Sequence, residues 1–416
     1  MSLTVFGFIW FLILSFTFMG KGIDSKISVL FFSMVLQCNN VLIIGERGIG
    51  PQVITSMCFV LWYIFLSNKS TTNYDSKSKP FLILLSIFCF YILANSIICN
   101  VLNKNYSDII LLYVYLSASI CLFKVRNKIS NNQLWNIMMR LYVFLLIMGV
   151  LQLLATIHII PKWLLSGLFF NDTSELVYFN TPELYARITS TFMEPSYYSG
   201  LLCGFIGLTI YNKGRLKNAR LIIICGLLEL ILTFSSTGYL TFIGTLFLLI
   251  LLDRGNHNFT KYFPILLIIL VFIYVSWDTL MNDIIVNKLD TSSGLARQSW
   301  NLKALEDFYS HPEFGSGYMN VRASSLFLSI LANLGIVGLV LYLSAVLVSV
   351  YPFFINKRKR SSLSLSVRLM MFSVVISQVI ACPDISLCTF WLCVYMISIT
   401  NNREEKTLCL LGKTKN

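Results

Sequence analysis

"RITSTFMEPSYYSG" (residues 187–200) decides how the chain is read, because a long apolar run begins where it ends. Pro195 suits the first position of a helix, having no amide proton to leave unsatisfied, so a span over 196–211 is expected to start there. Apolar runs recur along the chain at roughly the 17–24 residues that cross the hydrocarbon of a bilayer. Only 12% of the 416 residues are charged, about half the share of a soluble domain, and the mean hydropathy is +0.74. One all-α polytopic integral membrane domain over 1–416 is therefore expected. Its spans fall at 3–19, 27–44, 51–67, 80–99, 107–123, 138–160, 196–211, 219–235, 238–252, 263–280, 325–350, 366–381 and 385–400. That makes thirteen, or twelve if one of the short final pair fails to cross. Met1 to Met19 has no basic residue before it and no small-residue cleavage site, so it reads as a first span and not as a signal peptide.

A formal charge of +13 raises nucleic acid as a partner, but the placement of the charge argues against it. Lys124, Arg126 and Lys128 fill one short loop. Lys213, Arg215, Lys217 and Arg220 fill a second, and Lys357, Arg358, Lys359, Arg360 and Arg368 a third. Short basic loops beside spans lie in the cytoplasm, and these three alternate correctly with the spans between them. The polar loop 68–79 and the tail 401–416 are expected on the same side. The two long loops, 161–195 and 281–323, then face the periplasm; they carry net charges of −2 and −1. They are longer than connectors need to be, and long loops on a rigid scaffold tend to carry function.

Neither long loop contains a cysteine, and nearly all of the 11 cysteines lie in spans, where the residue behaves as a small hydrophobe. Cys382 and Cys388 flank an outer turn and are the one candidate pair. No His/Cys cluster has zinc spacing and no phosphate-cradling glycine motif appears, so neither metal nor cofactor is expected. A transporter would place ionisable groups at mid-membrane depth. Only Glu229 sits deep in a span, either paired or protonated. Asn39, Asn40, Asn95 and Gln378 read as interhelical hydrogen-bond glue. Proton-relay carboxylates and paired broken helices are not evident.

The chemistry concentrates in the outer loops. At 187–200, the amides and dipole of the helix starting at Pro195 favour an anion. Arg187 lies close in sequence, and its guanidinium forms bidentate bonds to phosphate. Glu194 sits in the same field, and His311 is the one histidine in either long loop. The plainer alternative makes Arg187 a headgroup anchor, Glu194 a first-turn charge, Tyr197 and Tyr198 aromatic-belt residues, and His311 a surface histidine. The second stretch is "HPEFGSGYMNVRASSLFLSILANLGIVGLVLYL" (311–343), where Gly315 and Gly317 permit a tight turn and Arg322 precedes the next span. Arg187 to Gly200 and Arg322 to Gly335 are both thirteen residues; more telling, two outer loops each deliver an arginine to the start of a helix. Arg297, Tyr318 and Asn320 join Arg187, Arg322, Tyr197 and Tyr198 as candidate substrate contacts. Ser325, Ser329 and Ala332 form a small-residue stripe suited to close helix packing.

The EPSYYSG segment, the H-P-x-F-G-x-G-Y-x-N turn and the SSLFLSILANLGIVGL run resemble the Wzy-type O-antigen polymerase family and, slightly less, the related O-antigen ligases. Ligases carry a His-Asn, His-Ser or His-Gln pair before a Gly-x-x-Gly; here Gly335 and Gly338 are present but the matching pair is Ser324-Ser325. That departure favours the polymerase. The resemblance implies a membrane glycosyltransferase C-type architecture in the bacterial inner membrane, with the active site facing the periplasm. It implies transfer of a growing glycan from undecaprenyl diphosphate to a sugar hydroxyl of a lipid-linked repeat unit, and a chain-length regulator as a possible partner. That reaction calls for a base at the acceptor hydroxyl, for which Glu194 is the first candidate and His311 the second. A ligase joining glycan to lipid A-core, and a flippase for lipid-linked oligosaccharide, are the alternatives.

Overall fold

The computed structural model describes residues 2–45, 47–67, 78–161, 165, 187–252, 292–351 and 362–400. The expected span 263–280, residues 68–77, most of the loop 161–195, residues 281–291, the basic segment 357–360 and the tail 401–416 lie outside the described residues. The helices are α1 (Val5–Met19), α2 (Ile23–Val35), α3 (Pro51–Leu66), α4 (Lys79–Ile98), α5 (Leu102–Val125), α6 (Asn131–Thr156), α7 (Pro195–Tyr211), α8 (Ala219–Leu232), α9 (Ser236–Leu252), α10 (Ser292–Ser310), α11 (Leu326–Val350), α12 (Ser362–Ala381) and α13 (Cys388–Ile399). Among them α4, α5, α6, α11 and α12 are long and apolar enough to cross a membrane.

Several expectations are corrected. The run 27–44 is not one span. Helix α2 stops at Val35, and β2 (Leu42–Ile44) pairs with β3 (Arg47–Ile49) and with β1 (Ser2–Leu3) in a three-stranded antiparallel sheet, order β1-β2-β3. The polar run Gln37 to Asn40 sits where the helix ends, and other parts of the chain take up its backbone groups. The Gln37 amide donates to the Thr191 carbonyl (3.2 Å), and the Thr4 hydroxyl donates to the Asn40 carbonyl (2.6 Å). The described residues are otherwise mostly helical, compatible with the expected all-α polytopic class. The loop 281–323 contains α10. Helix α13 has 12 residues, all buried, about 18 Å at 1.5 Å per residue, too short to cross the hydrocarbon. Arg368 lies inside α12, buried, and donates to the Ser349 carbonyl, so it does not belong to the basic loop. Cys382 and Cys388 are both free.

The core forms around α13 and α7. Trp391 and Tyr395 of α13 pack with Tyr115 of α5, and the Tyr395 hydroxyl meets Ser56 of α3 at 3.0 Å. Helix α7 lies against α12 at small residues: a Cβ at Gly200 would sit 2.2 Å from the Ser377 hydroxyl, and one at Gly204 would sit 2.6 Å from Met370. Close approach of this kind is how helices associate where lipid removes the usual hydrophobic drive. Asn212–Ser366 (2.9 Å) and Thr245–Ser373 (2.7 Å) add polar ties between α7, α9 and α12.

Candidate functional site

The site is organised by a break in α11. At Gly335 the backbone has φ 65° and ψ −170°, a region essentially confined to glycine. The break frees two acceptors, the Ala332 and Asn333 carbonyls, and two donors, the Ile336 and Val337 amides. The turn 311–317 satisfies all four. Ser316 and Gly317 amides donate to the Ala332 and Asn333 carbonyls (3.0 and 2.9 Å), while Ile336 and Val337 amides donate to the Pro312 and Glu313 carbonyls (3.0 and 3.2 Å). Irregular backbone within a membrane helix is tolerated when the rest of the protein completes its hydrogen bonds. Gly315, at φ 71°, brings the turn against the Asn333–Leu334 backbone. From α4, the Tyr91 hydroxyl donates to the Leu334 carbonyl (2.7 Å) and the Asn95 amide to the Phe314 carbonyl (2.6 Å). Asn95 therefore ties a loop down and does not join two helices.

Residues 321–324, just beyond the turn, are anchored at both ends. Asn333 receives the Val321 amide on its side-chain oxygen and donates to the Val321 carbonyl, both at 2.8 Å. On α10, the Asn301 side-chain oxygen accepts from the Ser324 amide and hydroxyl, each at 2.9 Å. Ala304 of α10 packs on Ala323 and Ala332. Arg322 is thus held between two fixed neighbours, with its guanidinium 4.0 Å over the Trp300 ring, a cation–π contact.

A cavity of about 450 Å³ opens here, lined by Glu194 and Tyr197 of the α7 start, Arg297 and Trp300 of α10, Tyr318, Asn320, Arg322, Ser324, Ser329, Asn333 and, from the turn after α12, Pro383, Asp384 and Ile385. Six of the expected site residues meet there: Glu194, Tyr197, Arg297, Tyr318, Asn320 and Arg322. Two arginines face two carboxylates, Glu194 and Asp384. The Ser196 hydroxyl donates to Glu194 at 3.0 Å. Burial pushes the Asp384 carboxyl above its usual range; the nearby Arg322 charge pulls it back, while Asp108 and Glu194 push it further up. Burial likewise raises the Tyr318 phenol, with Asp108 and Asp384 adding to the effect.

Three expected residues do not reach the cavity. Arg187 donates to the Thr233 and Phe234 carbonyls (3.3 and 3.2 Å) at the C-terminus of α8, where the helix leaves acceptors unpaired and its dipole favours a cation. Tyr198 is fully buried, stacks on Phe192, and donates to the Glu229 carboxylate inside the bundle. Glu229 is thus hydrogen-bonded through one carboxyl oxygen. His311 follows α10, exposed, with Asp307 3.8 Å away. The segment before α7 is a stitch: Gln152 accepts from the Thr189 and Ser190 amides (2.8 and 2.9 Å), Ser190 donates to the Leu145 carbonyl (2.8 Å) and Thr191 to the Val35 carbonyl (2.7 Å).

Sequence reasoning missed Asp384, Trp300 and Asn333. Asp384 carried a legible signal, a carboxylate alone in the short turn between two apolar runs, whereas Trp300 and Asn333 carried none above an ordinary helix residue. No family model matches the chain, and no curated protein matches it either.

Proposed function

We propose that the chain is an inner-membrane glycosyltransferase that polymerises lipid-linked glycan, transferring a growing chain from undecaprenyl diphosphate to a sugar hydroxyl of the next lipid-linked repeat unit at the periplasmic face. The observation that carries the reading is the convergence of Arg297 and Arg322 with two carboxylates in one cavity beside the starts of α7 and α11. Diphosphate is already a good leaving group, so the main task is to stabilise its developing charge, which preorganised arginines and helix N-termini do. Trp300, Tyr197 and Tyr318 line the cavity with aromatic side chains, and Asn320 and Ser324 with polar ones, of the kinds that hold a sugar. The cavity volume lies within the range of small-ligand sites. Helices α5 and α7 run from this end to the basic segments Lys124–Lys128 and Lys213–Arg220, and α11 precedes the basic run 357–360 in sequence, which supports a periplasmic cavity by the positive-inside rule. Arg187 has no part in the diphosphate contact in this reading.

The test is a gel of surface lipopolysaccharide from a strain lacking only this protein. Core bearing a single repeat unit is expected, because flipped single units are still ligated. Bare core with polymer left on the carrier would make the protein a ligase, and no repeats at the surface would make it a flippase. Complementation with Arg322→Ala should fail at normal protein level, and Arg322→Lys should restore it only in part, since lysine keeps charge but loses the planar fork and its stacking on Trp300.

A further inference from the structure

Glycosyl transfer requires some group to take the proton from the attacking hydroxyl, and the cavity contains a carboxylate with no structural duty. We propose that Asp384 is the catalytic base. This rests on the proposed glycosyl transfer and goes beyond it by assigning the proton.

The turn carrying Asp384 is built to hold it still. Gln378 of α12 donates through its side chain to the Asp384 carbonyl (2.9 Å), the Leu387 amide donates to the same carbonyl (3.3 Å), and the Trp391 indole of α13 donates to the Ile385 carbonyl (3.1 Å). Every one of these bonds uses backbone; the Asp384 carboxylate takes no protein hydrogen bond and no ion pair among the described residues. Arg322, the cation that acts on it most, lies over Trp300. Two opposite charges that share a cavity without pairing leave room for a ligand between them. The leaving diphosphate fits the arginine side, and the acceptor hydroxyl fits the carboxylate side.

The groups facing Asp384 come from three elements: Asp108 on α5, Glu194 and Tyr197 at the start of α7, and Tyr318 and Arg322 on the segment before α11, with Cys382 two residues away on its own turn. Burial is the largest influence and makes the carboxylate more basic than an exposed one. Glu194, by contrast, is exposed and already accepts from Ser196. In the step, the acceptor O–H proton passes to an Asp384 oxygen as the hydroxyl oxygen bonds the anomeric carbon. The bond from that carbon to the diphosphate oxygen breaks, and its electron pair leaves with the diphosphate beside Arg297 and Arg322. No further reactant is needed.

The experiment uses the full chain in nanodiscs with radiolabelled undecaprenyl-diphosphate repeat unit extracted from a strain lacking the protein. Asp384→Asn should lower turnover by about 10²–10⁴-fold while binding of undecaprenyl diphosphate and the melting temperature hold. The wild-type rate should fall as pH drops through the raised Asp384 value, and this acid limb should persist in Glu194→Gln but vanish from the residual rate of Asp384→Asn. A full rate in Asp384→Asn, an acid limb lost in Glu194→Gln instead, or loss of binding and melting temperature together with rate would each overturn the assignment. If the wild-type protein makes no polymer from this substrate, the polymerase reading itself fails. If it does and Asp384→Asn does too, only the base is wrong.

Discussion

Substituting Gly335 by alanine tests the break in α11 and the cavity built on it. The added Cβ would lie 2.2 Å from the Glu313 carbonyl oxygen and 2.6 Å from the Phe314 amide nitrogen. Both are backbone atoms, so no side chain can rotate away. Holding alanine at φ 65°, ψ −170° costs about 1–3 kcal/mol, and forcing a methyl into filled space costs about 1–3 kcal/mol more. The sum is about 2–6 kcal/mol against the native arrangement. The chain has one obvious relief: α11 closes, Ile336 and Val337 return to the Ala332 and Asn333 carbonyls, and the turn 311–317 is expelled. The Ser316 and Gly317 amides then lose their acceptors. At tenfold per 1.4 kcal/mol, their exchange should quicken by about thirty-fold to 10⁴-fold, read by hydrogen exchange and mass spectrometry in nanodiscs. Gly214→Ala, with open space around it, is the control and should leave exchange unchanged. Wild-type protection of Ser316 and Gly317 in Gly335→Ala, with an unchanged melting temperature, would refute the account of the break.

Asn333→Ala removes two bonds to Val321 and one to the Ser329 carbonyl (2.8 Å); it should cost about 1–3 kcal/mol and, under the proposed glycosyl transfer, because Arg322 loses its neighbour's anchor, raise KM for the lipid-linked substrate more than it lowers kcat. Arg187→Ala should lower the melting temperature, through about 1–3 kcal/mol of lost charged hydrogen bonding at α8, yet keep the proposed polymer formation at matched protein level. Abolished polymer in a fully stable Arg187→Ala protein would return that arginine to the site. In a cysteine-depleted variant, Ser310→Cys should react with an impermeant thiol reagent in cells with a permeabilised outer membrane and Gly214→Cys should not; the opposite pattern would put the cavity on the cytoplasmic side.

Hydropathy alone was enough to see a multi-pass helical chain, because the need to satisfy backbone groups in hydrocarbon leaves few alternatives to helices. It was also enough to place Glu194, Arg297 and Arg322 at one end, since loop positions are set by span order. The matched thirteen-residue spacings, however, concealed two different uses of glycine. Gly200 lets α7 touch α12 at Ser377, whereas Gly335 breaks α11. Their arginines part in the same way: Arg322 opens to the cavity, while Arg187 is captured by the carbonyls ending α8, a helix that lies beyond α7 in the chain. Tyr197 and Tyr198 are adjacent, yet helical geometry turns the first to the cavity and the second to Glu229. Such outcomes depend on which acceptors and carboxylates other helices bring near, and that is a property of packing between distant segments. Sequence thus determined the solvent each segment needs and the end of the bundle where the charges gather. The tertiary structure decided which charges remain free to meet a ligand, because a buried donor or acceptor must be paired wherever the nearest partner lies.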